Sequence, residues 1–239
     1  MRRFTSITRM NVPDSMAQFL DSADPVYGTG MDGDAVLDGS TTVLSMAPSA
    51  SVYTMTRDMF FNNLTLNTSV RLAPNGYRIF VKNILTFAGN DATIGFTTGF
   101  STAGSIQQGG AVSTAVTHSL GGSATGFTAT VPTAALGGTQ YWSIPRQAIQ
   151  GYSVTASGGP TFLRGGAGGS GQAGGGVVIL AARYIAGPVS GTAYIQAPAT
   201  APAGGGVVLL ISSAVALPAS VTTNVTGQNP GTVNYMQLV

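Results

Sequence analysis

The sequence predicts an all-β chain whose short strands form β-solenoid or β-helix-like coils, and three observations predict it. Apolar residues between 64 and 87 alternate in short bursts separated by polar turns. A glycine run followed by an apolar strand recurs thirty residues later in the last third of the chain. Charge is so scarce that much of the surface is expected to be buried between subunits.

The 239 residues are 44% hydrophobic, enough for a substantial core, but only 8% are charged. An ordinary soluble domain carries roughly 25%. Every acid is an aspartate, Lys82 is the sole lysine, and after Asp91 the charged residues are Arg146, Arg164 and Arg183 alone. The net charge of +2 comes from too few groups to form a phosphate-binding stripe, which argues against nucleic acid as a partner. With no cysteine there is neither a disulfide framework nor a thiolate metal site. The opening MRRFTSITRM has the basic start of a signal peptide but no apolar run behind it. The longest apolar runs, Val177 to Ala182 and Val207 to Ile211, fall well short of the roughly 20 residues of a membrane helix, so no membrane insertion is expected.

By composition the chain divides at 1–38, 39–90 and 91–239. The first part holds Arg2, Arg3 and Arg9 and six of the eight aspartates. Apart from Asp14 to Leu20, which could form a helical turn or two with Asp14 as N-cap, it lacks sustained periodicity. It reads as an extended attachment arm with Arg2, Arg3 and Arg9 as its contacts, or else as an arm wrapped on its own trimer. Asp32, Asp34 and Asp38 are the best metal candidates, because hard carboxylate oxygens suit calcium. They lack the full EF-hand spacing and its terminal glutamate, and turn formation accounts for them more simply.

The second part carries the strand signal. In NNLTLNTSVRLAPNGYRIFVKNILTF the bursts are Leu64 and Leu66, Val70 and Leu72, Tyr77, Ile79 and Val81, then Leu85 and Phe87. They are interrupted by Asn62-Asn63, Asn67-Thr68 and Pro74-Asn75-Gly76. The bursts are too closely spaced for intervening helices, and the interval from Leu64 to Phe87 suits one coil with short strands and polar corners.

In the third part AGGGVVIL at 173–180 is echoed by AGGGVVLL at 203–210. The glycines are expected to let neighbouring backbones approach or to supply positive φ at corners. Gly169 to Gly174 also fits G-x-G-x-x-G. A dinucleotide loop needs a helix directly after the motif and an acid about 20 residues on. VVIL follows instead, and no acid occurs after Asp91, so no cofactor is expected. A flexible linker would not lead straight into two matching apolar strands.

Other chemistry is thin. His118 is the only histidine, and a triad through it and Asp91 would carry little information in so serine-rich a chain. Trp142 could stack on a ligand, but aromatics of this kind more often fill a core or an interface. Paired carboxylates for glycoside cleavage on the body could come only from Asp58 and Asp91. No catalytic residue is assigned.

The run DGDAVLDG (32–39), then YTMTRDMFFNNLTLNTSVRLAPNGYRIFVKNILTFAG (53–89), then AGGGVVILAARYIAG (173–187), resembles bacteriophage virion surface-appendage proteins with glycine-rich, solenoid-like β repeats. The resemblance covers the middle of the chain and 164–187 well, and 90–160 and the last thirty residues poorly. It implies a non-enzymatic structural protein assembled in the host cytoplasm and placed on the virion surface. Together with the scarcity of charge it implies an intertwined homotrimer, a spike or head decoration fixed by its N-terminal arm to other virion proteins, of capsid or tail. The alternative it implies is a tail fibre or minor tail protein that acts as an adhesin for a host surface glycan or protein.

Overall fold

The computed structural model describes residues 24–96 and 174–238, together with the backbone of two short strands at 139–140 and 163–164. These residues are mostly strand with almost no helix. After one helical turn, α1 (Asp24–Tyr27), come β1 (Ala35–Leu37), β2 (Val52–Thr54), β3 (Met59–Phe61), β4 (Leu64–Leu66), β5 (Arg71–Ala73), β6 (Ile79–Phe87) and β7 (Thr93–Gly95). The short pair β8 (Thr139–Gln140) and β9 (Leu163–Arg164) is antiparallel. Then follow β10 (Val177–Ala186), β11 (Ala193–Gln196), β12 (Val207–Ser212), β13 (Val221–Asn224) and β14 (Thr232–Gln237).

The remaining strands form two parallel sheets. The first runs β1-β4-β6-β10-β12-β14, with β3 pairing the first half of β6. The second contains β2, β5, β7, β11 and β13, again in chain order. Parallel strands cannot be joined by tight hairpins and usually need helical crossovers. Among the described residues the strands of the two sheets alternate along the chain, with β3 and β4 both in the first, and strands from successive stretches of sequence lie side by side in each sheet.

In-register stacking explains the burst pattern. Leu37, Leu66 and Phe87 are successive partners, as are Ala35, Leu64, Leu85 and Ile185. A third column runs Met59, Ile79, Leu180, Leu210 and Tyr235. From the second sheet, Tyr53, Leu72, Ile94 and Ile195 face them, and one buried cluster fills the space between the sheets. Removing a leucine from such a column costs about 2–5 kcal/mol, because the flanking layers cannot close the gap.

Four expectations need adjusting. Leu64 stacks on Leu85 and not on Phe87, so the repeat between these passes is 21 residues. Ile79 to Val81 and Leu85 to Phe87 belong to one nine-residue strand. Residues 24–38, grouped with the arm by composition, are packed: Leu37 is fully buried, and Tyr27 of α1 lies against Phe80 and Ile179. The compositional division at 90 is likewise no break in packing, since β6 pairs β10 and β7 pairs β11. Arg2, Arg3, Arg9 and Asp14 to Leu20 lie outside the described residues.

The glycine echo corresponds to direct pairing. Val177 pairs Val207, and the match continues to Ala181 and Ile211. A further pass, β14, stacks on β12 with Val207 opposite Thr232. β10 and β12 are buried on both faces, since Val177, Ile179, Val207, Leu209 and Ile211 form a second apolar cluster outside the inter-sheet core. Strands covered on both sides read as continuous apolar runs, which is why VVIL and VVLL do not alternate.

Candidate functional site

The polar chemistry of the described residues lies at the corners of the stack and on the outer face of the second sheet. At one corner Asp32 accepts both guanidinium nitrogens of Arg57, at 2.9 and 2.6 Å, and the Phe60 amide at 2.6 Å. One pass later Asp58 accepts the Arg78 amide and Nε, each at 2.8 Å, and Arg78 Nη2 also donates to it. In both cases an aspartate of one pass holds an amide of the next. The Arg57 guanidinium holds the Asp32 carboxyl below its ordinary range.

Beside it runs an amide ladder. Asn62 and Asn63 donate their side-chain amides to Asp34 at 2.7 and 2.8 Å, and Asn83 donates to the Asn62 oxygen at 2.9 Å. These bonds hold the Asp34 carboxyl below its ordinary range. Asp38 caps a separate turn. It accepts the Ser40 and Thr41 amides at 2.7 and 2.8 Å, the Thr41 hydroxyl, and the Tyr53 hydroxyl at 3.1 Å. The Thr41 bonds lower its pKa, and burial raises that of Tyr53.

These contacts correct the metal reading. Asp32, Asp34 and Asp38 do not converge; each is committed to a different set of donors, and no group of three metal-ligating side chains occurs among the described residues. Their role is the turn chemistry that the alternative reading gave them.

The glycine tracts form a second corner, built of backbone. Gly175 donates to the Gly204 carbonyl at 2.9 Å, Gly205 to Asn229 at 2.9 Å, and Gly206 to Ala197 at 2.8 Å. A Cβ on Gly206 would strike the Gly176 carbonyl, and one on Gly205 would strike the Val225 carbonyl and lie 2.7 Å from the Gly231 nitrogen. Close approach is therefore what these positions require. Of the G-x-G-x-x-G stretch only Gly174 is described, and the element after it is β10, a strand, where a dinucleotide loop needs a helix. His118 and Trp142 lie outside the described residues.

On the second sheet Leu72, Ile94 and Ile195 point into the core, which turns their neighbours outward. Val52, Arg71, Thr93, Tyr194 and Thr222 are successive register partners along that outer face. Gln196 and Asn224 form part of the adjacent row. Arg57 and Arg78 each have an aspartate partner, whereas Arg71 forms no ion pair among the described residues. Its Nε is shielded from solvent without a hydrogen-bond partner. Sequence reasoning singled out neither Arg71 nor Tyr194. The alternations RLA and AYIQ mark both as outward residues, but only the register brings them to opposite sides of Thr93.

Comparison of the chain with protein-family models, with curated proteins and with solved structures finds no match.

Proposed function

We propose that the two sheets are walls of a β-solenoid and that the chain is a non-enzymatic structural protein of a bacteriophage virion. In this reading it forms a homotrimeric surface spike or head decoration, fixed to the particle through its N-terminal segment. The observation that carries the reading is the stacking itself: two parallel sheets in chain order, locked at the corners by an aspartate–amide ladder and by abutting glycines. Such a body is rigid along its stacking axis, and Asp32, Asp34, Asp38 and Asp58 are spent on holding turns.

Charge scarcity supports the trimer, since a surface this poor in charge is weakly protected against association. Light scattering on the purified chain tests this part, with an expected mass three times the 24.1 kDa of one chain. A monomer at all concentrations would overturn it. A second reading, a tail fibre or minor tail adhesin, is favoured by one observation, an outward sheet face that carries Arg71, without an ion pair among the described residues, and Tyr194 two strands away. Purified trimer that coats host cells and blocks infection would select it.

A further inference from the structure

We propose that Asn75 is a latent modification site. Its side chain and the Gly76 nitrogen are the reactants of succinimide formation, and the folded corner between β5 and β6 keeps them apart until that corner opens.

Asn-Gly occurs once in the 239 residues, at Asn75-Gly76. A glycine leaves its amide nitrogen sterically open, and asparagine is among the thermolabile residue types. The reaction is internal to the chain. The Gly76 nitrogen bonds to the Asn75 Cγ, the Cγ–Nδ2 bond breaks, and the proton of the Gly76 amide leaves with that nitrogen as ammonia. One water then opens the five-membered imide at either of its carbonyls. Opening at Cγ gives aspartate. Opening at the backbone carbonyl gives isoaspartate, whose main chain runs through Cβ and Cγ and is one carbon longer.

The fold holds ring closure off. Asn75 and Gly76 have φ of 50° and 80°, and the Tyr77 amide donates to the Pro74 carbonyl at 2.9 Å. These features define a type I′ turn, for which Asn-Gly is the favoured pair. In such a turn ψ of the first central residue is about +30°, which sets the Gly76 nitrogen roughly 150° from Cβ about the Cα–C bond. Ring closure needs the two nearly eclipsed. The side chain is tied as well, because Asn75 Nδ2 donates at 3.2 Å to the carbonyl of Met55, just past the end of β2, the strand that pairs β5. Rotation into the reactive geometry therefore breaks the bond that closes the turn and disturbs the bond to Met55. Pro74 and Gly76 are buried, so the rotation requires the corner to leave the stack. Neither product fits back into it: aspartate turns a carboxylate oxygen towards the Met55 carbonyl where a donor stood, and isoaspartate lengthens the turn. Modification is thus a one-way mark of opening at this corner, wherever the chain is placed.

The test incubates the purified full chain at mildly alkaline pH in buffer and in concentrated urea, and follows Asn75 by peptide mass spectrometry with the aspartate and isoaspartate peptides separated. Conversion is expected to be at least about tenfold slower in buffer, where circular dichroism shows the fold intact. As urea is added, it should rise together with hydrogen exchange of the Tyr77 amide. Equal conversion rates in the folded and the unfolded chain would overturn the proposal. Asn75→Asp supplies one product directly and should lower the melting temperature by about 2–6 °C through the lost donor. Melting of this variant with wild type would overturn the one-way mark.

Discussion

Replacing Gly205 with alanine adds one methyl group at the place where three passes of the chain meet. The new carbon would overlap the Val225 carbonyl oxygen and sit 2.7 Å from the Gly231 nitrogen. Those two atoms are joined by a 2.8 Å hydrogen bond, so the methyl drives between donor and acceptor. Overpacking of this kind costs about 1–3 kcal/mol, and loss of a backbone bond about 0.5–1.5 kcal/mol more. Stiffening of the unfolded chain returns about 0.4–1 kcal/mol. The net is a destabilisation of about 0.5–4 kcal/mol, or a fall in melting temperature of roughly 1–16 °C for a domain of this size. Gly33→Ala is the control: its Cβ meets nothing within 4 Å, and only the positive φ of 72° is penalised, by about 1–2 kcal/mol. Circular dichroism melts of both variants decide the matter. A Gly205→Ala protein that melts with wild type would refute the claim that the glycine column exists to let backbones touch.

Three further outcomes follow from the corners and the N-terminal segment. The Asp32 carboxyl is held below its ordinary range by Arg57, so its contribution is present above the unfolded value near pH 4 and is lost as pH falls through the lower folded value. Asp32→Asn should therefore be less stable than wild type at pH 7, with the gap closing towards pH 2; a pH-independent gap would contradict the assignment. Asn62→Ala removes the link between Asp34 and Asn83 and should cost about 1–2 kcal/mol in denaturant titrations, with the fold retained. Deleting residues 2–23 should leave a folded trimer that no longer joins particles, and normal incorporation would defeat the attachment role. The cut has to stop before 24, because Tyr27 and Leu37 belong to the packed body.

Legibility in the sequence followed the length of the local signal. The echo AGGGVV states its own pairing, since the two strands it opens, thirty residues apart, stack in register from Val177 and Val207 onward. The alternation from Leu64 to Phe87 likewise revealed which side chains face the core. By contrast β1, β2 and β7, three residues each, stand outside the run of closely spaced bursts that marks the equally short β4 and β5, so nothing beside them brings out a period of two. β14 stacks 25 residues after β12, and its glycines at 227 and 231 are interrupted by Gln-Asn-Pro, which hides a further pass. The pairing of Ile79 with Leu180 and of Thr93 with Tyr194 spans a hundred residues and leaves no local trace. Arg71 was hidden for this reason, because its neighbours on the face exist only once the passes are stacked. The three aspartates show the converse: close in sequence, they bond to separate donors, and a cluster of acids along a turn-rich segment does not imply a cluster in space.

The proposed place of this chain on a virion surface is tested most directly by its copy number in purified particles, counted by quantitative mass spectrometry. The expected result is a fixed number per particle that is a multiple of three, scaling with the shell protein for a head decoration or with tail-tip proteins for an adhesin. Absence of the chain from particles, or a trace amount that varies between preparations, would contradict it.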